Sequence, residues 1–364
     1  MSLGVREHPI PVRVSRMNRY EARSRRRQLI GLSVVIVLVI AGGEWFATSR
    51  TSAPRAPVVA AHGAPATEVD TLLLAVRGAG QPLMAVIGEG PSPVAMPIPA
   101  GLRIEAPGLG PTSIGDIVTL PGDTMRIVVS NAMGMWVDHY AVTDLQRLGK
   151  LAGRGPGLVV TLPQAVTIAG QLLGPGAVTM DTPTLTSYLG VPGRDLQERW
   201  DIVLTALTAD PPTLHSGDLV SADDLDAASS LLALARGANV ETFPSRVVGG
   251  RVRVPDYGVL DPLVGRLFGT SGHVVRVIVQ NGSGAPNAGQ TVARAIVPLG
   301  FRIVLSENAA SFNTRVTRII AIGKQNVDAA RRAQGALGAG TVEVSRVPSG
   351  IGDITIDVGS DLST

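Results

Sequence analysis

Short apolar runs bounded by Gly, Pro or charge recur along most of the chain, and stretches with helical spacing fall between them. From Val69 onward, TLLLAV, PLMAVIG, TMRIVVS and GLVVTLP read as strands, whereas DLQRLGKLAG, TPTLTSYLG, LQERWDIVLTALT and SADDLDAASSLLALARG read as helices. The alternation predicts one α/β domain over residues 68–268, within the usual size range. A break follows at GTSGH (Gly269–His273). Beyond it VVRVIVQ, FRIVLSE, RVTRIIAIG, TVEVSRV and DITIDVG read as strands, with QTVARAIVPLG and NVDAARRAQGALG as helices. This predicts a smaller α/β sandwich over residues 273–364 with its helices on the sheet.

A different pattern opens the chain. LIGLSVVIVLVIAGGEWFA, Leu29–Ala47, carries no charge before Glu44 and places Trp45 and Phe46 at its end. About 20 apolar residues cross a bilayer core, so one transmembrane helix is expected over 29–47, its aromatic pair at the far interface. A cleaved signal peptide is the competing reading. The long Arg-rich lead and the poor cleavage site in AGGEWFATSR favour the span. Residues 48–67, rich in Pro, Ala, Ser and Thr, then serve as an extended linker.

Charge sets the orientation. The chain's net charge is +3, but residues 1–28 hold eight Arg against two Glu, a local +6, which leaves −3 for everything after them. The basic tail is expected in the cytoplasm and the remaining domains outside, giving a single-pass protein of the plasma membrane. A slightly acidic body has no electrostatic motive to bind nucleic acid. Of the 364 residues 45% are apolar, enough for real cores, while 43 Gly and 26 Pro imply many turns. The absence of Cys is compatible with an exterior location and does not establish it.

Candidate chemistry is sparse. The run Asn281, Gly282, Ser283, Gly284 sits between a strand and a helix, where a Gly-rich turn suits a phosphate. With Gly289 it spells G-x-G-x4-G rather than a dinucleotide fingerprint, and no Walker lysine follows, so a tight turn is the favoured reading. The five His are scattered with no metal-binding spacing, and no serine stands in a G-x-S-x-G elbow. WVDHY concentrates Asp138, His139 and Tyr140; as a strand it splits them between two faces, which favours a structural role.

Two segments carry a family resemblance. VRVIVQNGSGAPNAGQTVARAIVPLGFRIV and GDITIDVGSDL, within Arg276–Leu362, resemble the LytR C-terminal domain, with its V-x-V-x-N-G-[ST]-G strand and turn, helix, GF-x-V strand and closing G-x-D. The middle domain resembles the LytR-CpsA-Psr catalytic domain in the order of its landmarks: DTLLLAV, PLMAVIG, MPIPAGL, GMWVDHYAVTDLQRLGKL, GPGAVTMDTPTLTSYL and ERWDIVLTAL. That family comprises membrane-anchored enzymes that transfer polyprenyl-diphosphate-linked glycopolymers to peptidoglycan.

The frame matches and the chemistry does not. Where the resemblance implies Arg and Asp in the loop after the third strand, this chain has Ala100 and Gly101; Gln81 takes the position of an acidic residue. The family's later arginines fall on Gly190, Pro192 and Leu196, its Asp on Gly193 and its Gln on Trp200, and Arg199 alone is retained. Arg194, Arg77 and Arg103 are the remaining candidate phosphate-binding residues. Transfer of a pyrophosphate-linked group needs several cations, or Mg²⁺ held by carboxylates, around the developing charge. The resemblance therefore implies a noncatalytic pseudoenzyme of an actinobacterial type cell envelope, without cofactor, that binds a polyprenyl phosphate lipid, peptidoglycan or a wall-assembly protein. Two alternatives stay open: an active phosphotransferase with a displaced, Mg²⁺-dependent site, and a purely structural envelope scaffold.

Overall fold

Strands whose residues are apolar without alternation must be covered on both faces. β1 (Thr71–Arg77) is of this kind: Leu72, Leu74 and Val76 enter one core, and Leu73 and Ala75 enter another. The computed structural model describes residues 69–362 apart from 79–82, 90–91, 155–156, 169, 194 and 271–273. The basic tail, the expected span at 29–47, the linker at 48–67, Gln81 and Arg194 lie outside the described residues. Among the described residues no helix is long and apolar enough to cross a membrane.

Beside β1 lie β2 (Leu83–Gly88) and β3 (Val94–Ile98), followed by a hairpin of β4 (Arg103–Ala106) and β5 (Gly110–Ser113). Two helices, α1 (Ile114–Ile117) and α2 (Gly122–Met133), lead to β6 (His139–Asp144) and α3 (Leu145–Ala152). Four short strands form two hairpin ladders, β7 (Leu158–Leu162) with β10 (Gly176–Met180) and β8 (Val166–Ile168) with β9 (Gln171–Leu173). Then come α4 (Thr182–Gly190), α5 (Leu196–Ala209), β11 (Ser221–Ala222), α6 (Leu225–Leu234) and β12 (Asn239–Val240). A hairpin of β13 (Ser245–Val248) and β14 (Val252–Pro255) precedes α7 (Tyr257–Phe268). The main sheet runs β11-β6-β1-β2-β3-β12, with β1 parallel to β6 and antiparallel to β2.

The expected strand TMRIVVS is a helix. Met125, Val128, Val129 and Ala132 of α2 recur at helical spacing and pack in the core beneath the sheet, and Gly134 closes the helix at φ 71°. A continuous apolar run reads equally as a buried strand or a buried helix, and the position of the sheet decides between them. The other strands and helices expected for this domain form where the pattern placed them.

The terminal segment contains β15 (Val275–Asn281), α8 (Ala288–Ile296), β16 (Phe301–Asn308), β17 (Arg318–Ile322), α9 (Val327–Leu337), β18 (Thr341–Ser345) and β19 (Ile354–Val358). Its sheet runs β16-β15-β19-β17-β18. Val275, Val277 and Val279 alternate onto one face, where Val292 and Ile296 of α8 and Ala330 and Ala333 of α9 cover them. Ile127 of α2 enters the same core.

The open edge of β16 is filled by residues of β4, α2 and α7. The Asn131 amide on α2 accepts from the Ile303 N–H at 2.7 Å and donates to the Ile303 carbonyl at 2.9 Å, standing in for a neighbouring strand. Glu105 accepts from the Ser306 N–H at 2.7 Å. Arg302, 2% exposed, donates to both carboxylate oxygens of Asp261 at 2.7 and 3.1 Å and lies 4.0 Å from the Tyr257 ring centroid. These contacts satisfy an edge that otherwise invites pairing with another chain.

Candidate functional site

The strand polarity gathers the candidate positions at one edge of the main sheet. β1 and β3 both run antiparallel to β2, so Arg77 at the end of β1 and the Pro99–Gly101 turn after β3 share that edge. The turn closes by a hydrogen bond from the Leu102 N–H to the Pro99 carbonyl, and the Ala100 carbonyl accepts from the Gly115 N–H on α1. A Cβ on Gly101 would meet nothing within 4 Å. The missing charge is therefore not a matter of space, because the position has room for a side chain.

Arg77 reaches across this edge rather than out of it. Its Nε donates to the Val118 carbonyl at 3.0 Å and its Nη2 to the Leu120 carbonyl at 3.1 Å, which pins the segment between α1 and α2. Asp144, at the end of β6, accepts from the Arg147 N–H and caps α3. Leu145 then occupies the junction: a Cβ on Gly78 would lie 2.8 Å from its Cδ1 and one on Gly190 3.7 Å away. Where the resemblance implies converging charges, β1 and α4 meet on an apolar side chain.

Arg199 is buried at the first turn of α5. It donates to the Tyr188 carbonyl and, at 2.6 Å, to the Val191 carbonyl; Nε lies 3.1 Å from Asp195 Oδ2 without hydrogen-bond geometry. The last carbonyls of a helix lack intrahelical donors, and a cation there also opposes the negative end of the helix dipole. Arg199 thus caps α4. Its guanidinium stands 5.7 Å from the Tyr188 ring centroid. Burial raises the Tyr188 phenol above its ordinary value, against the opposing pull of Arg199.

Beside this cap lies a cavity of about 310 Å³, lined by Val166, Thr167, Ile168, Val191, Pro192, Asp195 and Arg199. Asp195 is its exposed charge, with a side chain 60% accessible, and the Arg199 guanidinium is turned onto backbone oxygens. A Cβ on Gly193 would lie 2.4 Å from Asp195 Oδ1, so the glycine admits the carboxylate that pairs with Arg199. The residues do not fit Mg²⁺: a single carboxylate already paired with Arg is a poor donor set, and no cluster of three metal-binding side chains occurs among the described residues. Leu196 and Trp200, where the resemblance implies Arg and Gln, are buried core; the Trp200 N–H donates to the Met84 carbonyl at 3.1 Å.

Arg103 is exposed on β4 and belongs to neither group. The structure therefore divides the candidate set: Arg77 and Arg199 are two separate backbone clamps, and Arg199, although it lines the cavity, has its guanidinium engaged by backbone carbonyls. Sequence register located Arg199; nothing in the local sequence indicated that its partners are the carbonyls that end α4.

The remaining motifs have structural explanations. Asp138 accepts from the Thr71 N–H and hydroxyl, and Asp223 accepts from the Tyr140 N–H and lies beside His139, so WVDHY braces the start of β1 and β6. Asn281 Oδ1 accepts from the Ser283 hydroxyl and the Gly284 N–H, and Gly284 has φ 73°. Gly282 has no room for a Cβ against Thr314 and Asp357. A 370 Å³ cavity at this turn carries Glu307 as its charged group, which does not suit a phosphate.

Residues 274–362 match the protein family described as LytR cell envelope-related transcriptional attenuator, in agreement with the resemblance of the terminal segment. No curated protein's sequence matches the chain. Among solved structures, the chain is similar to TagV of B. subtilis at 14% identity and TM-score 0.46, over 55% of this chain and 96% of that one. It is similar to the LytR-CPS2A-psr family protein TagT with bound octaprenyl pyrophosphate lipid at 14% identity and TM-score 0.44, over 58% of this chain and 95% of that one. A transcriptional regulator from Enterococcus faecalis is similar at 14% identity and TM-score 0.45, over 57% and 91%.

Proposed function

We propose that the chain is a membrane-anchored, extracytoplasmic cell-envelope protein whose larger domain keeps a LytR-CpsA-Psr-like frame as a noncatalytic pseudoenzyme, binding a polyprenyl-linked precursor or a wall-assembly partner. The observation that carries this reading is the use of Arg199 as a helix cap: the one arginine retained in register donates to the Tyr188 and Val191 carbonyls. Stabilising a phosphoryl transition state requires donors aimed at the developing charge and free to meet it. A guanidinium held by two carbonyls and a carboxylate meets neither condition. Arg77 is held by two further carbonyls, and the turn at Ala100 and Gly101 brings no charge. The terminal segment's family supports the envelope context.

The test uses the full chain in detergent with a polyprenyl-diphosphate-linked saccharide and peptidoglycan, with and without Mg²⁺. No transfer product is expected under either condition, together with retention of the lipid by native mass spectrometry. Mg²⁺-dependent transfer would overturn the noncatalytic reading and return the displaced-site transferase in its place. Absence of both transfer and lipid retention would leave the scaffold alternative.

A further inference from the structure

The β13–β14 hairpin stands out from the fold in its exposure. Every residue from Arg246 to Arg253 is exposed, including Val247 at 59%, Val248 at 37% and Val252 at 45%. Its sequence, SRVVGGRVRVP, holds Arg246, Arg251 and Arg253 and no acidic residue. The cross-strand register places Val248 opposite Val252 and Val247 opposite Arg253. Directly opposed residues share a face, so the tip carries an apolar valine pair on one side and an Arg–Val pair on the other. Gly249 and Gly250, at φ 58° and 72°, make the tight turn between them.

We infer that this hairpin is a contact site for an anionic lipid surface, and the inference rests on the anchored reading of the chain. Arg251 and Arg253, in a hairpin whose sequence holds no acid, complement anionic headgroups, each contributing to attraction within a Debye length of the surface. Small exposed β-branched side chains at the tip suit shallow entry beneath the headgroups. A protein partner is the poorer occupant, since a stable interface takes roughly 20–30 residues a side, and the hairpin exposes only residues 246–253.

Position favours the same occupant. β14 is bridged to the candidate edge, with Arg253 paired to Leu102 beside the bare turn, so a membrane at the hairpin also faces that turn.

The absence of Cys makes the test direct. Full-length Val248→Cys carries a single label when reconstituted into nanodiscs of either phosphatidylcholine alone or phosphatidylcholine with phosphatidylglycerol, each containing a lipid-borne quencher. Gly335→Cys, exposed on α9 with open space at its Cβ, is the control. Quenching of the 248 label is expected to be at least about twofold stronger in the anionic discs, to fall in high salt, and to be lost in Arg251→Glu, while the control label stays unquenched. Equal and weak quenching in both lipids overturns the inference. So does protection of residue 248 from thiol reagent without quenching, which identifies a protein occupant. If the chain fails to integrate into discs, the anchor reading fails, and sedimentation of the same chain with phosphatidylglycerol vesicles decides the hairpin separately: pelleting lost in Arg251→Glu retains the inference, and no pelleting overturns it.

Discussion

Arg199 shows how a residue that looks chemical in sequence is structural in the fold. Removing its side chain leaves the Tyr188 and Val191 carbonyls without their donor. Arg199→Ala should cost about 2–4 kcal/mol in urea unfolding, because buried acceptors of a charged donor are left unsatisfied. Arg199→Lys should recover only part of this, since an ammonium lacks the planar fork that bridges two carbonyls. A solely ligand-binding arginine would leave unfolding unchanged. Glu105 supplies the pH dependence at this scale. Burial pushes its carboxyl from 4.5 to about 7, with Glu307 adding to the rise and the Ser306 N–H opposing it. The folded state holds the proton more tightly than the unfolded chain, so its stability is complete below about pH 4.5 and falls as pH rises toward about 7. The loss is on the order of 3 kcal/mol by linkage. Glu105→Gln keeps an acceptor for the Ser306 N–H and should remove that decline, so thermal unfolding of variant and parent should diverge as pH rises through that window, the variant being the more stable at the higher pH.

At the level of elements, α2 matters most because it serves two cores. Met125 and Val128 pack under the main sheet, Ile127 enters the terminal core, and Asn131 occupies the edge of β16. Asn131→Leu should destabilise by about 2–3 kcal/mol, since the Ile303 N–H and carbonyl lose both partners inside the protein. Slow hydrogen exchange at the Ile303 N–H in the parent, lost in the variant, checks the mechanism. The same helix marks where sequence reading failed: TMRIVVS has strand-like composition, and only the layer above it shows that its apolar positions face a core at helical spacing. The β13–β14 hairpin is the opposite case, since Gly249–Gly250 between runs of Arg and Val is itself a local hairpin signal.

Across the molecule as a whole, polar bridges join the two sheets with their helices. Arg302 reaches Asp261 and the Asn131 carbonyl, and Arg294 pairs with Asp123. Other terminal-domain arginines are likewise engaged, Arg276 with Asp353 and Arg318 with Asp357, so the arginine count of this segment does not amount to a free basic face. The Asp353 and Asp357 hydrogen bonds hold Arg276 and Arg318 above the usual guanidinium value. Asp261→Ala leaves the buried Arg302 charge without its carboxylate and should cost about 3–5 kcal/mol. Calorimetry of the parent is expected to show a single transition for both sheets, and the variant two.

Local sequence was enough to establish the alternating α/β order, β1 and β2 of the main sheet, the strands of the terminal sheet, the turn at Asn281–Gly284 and the absence of charge at Ala100 and Gly101. These depend on local periodicity, on glycines placed where φ is positive, and on residue identity, all of which are read along the chain. Packing settled the rest: that TMRIVVS coils, that Arg77 and Arg199 clamp backbone carbonyls, and that Asn131 and Glu105 close the edge of β16. Each of those outcomes depends on a partner brought close only by the packed layers, and a guanidinium or amide has the same local sequence signature whether it meets a ligand, a carbonyl or water.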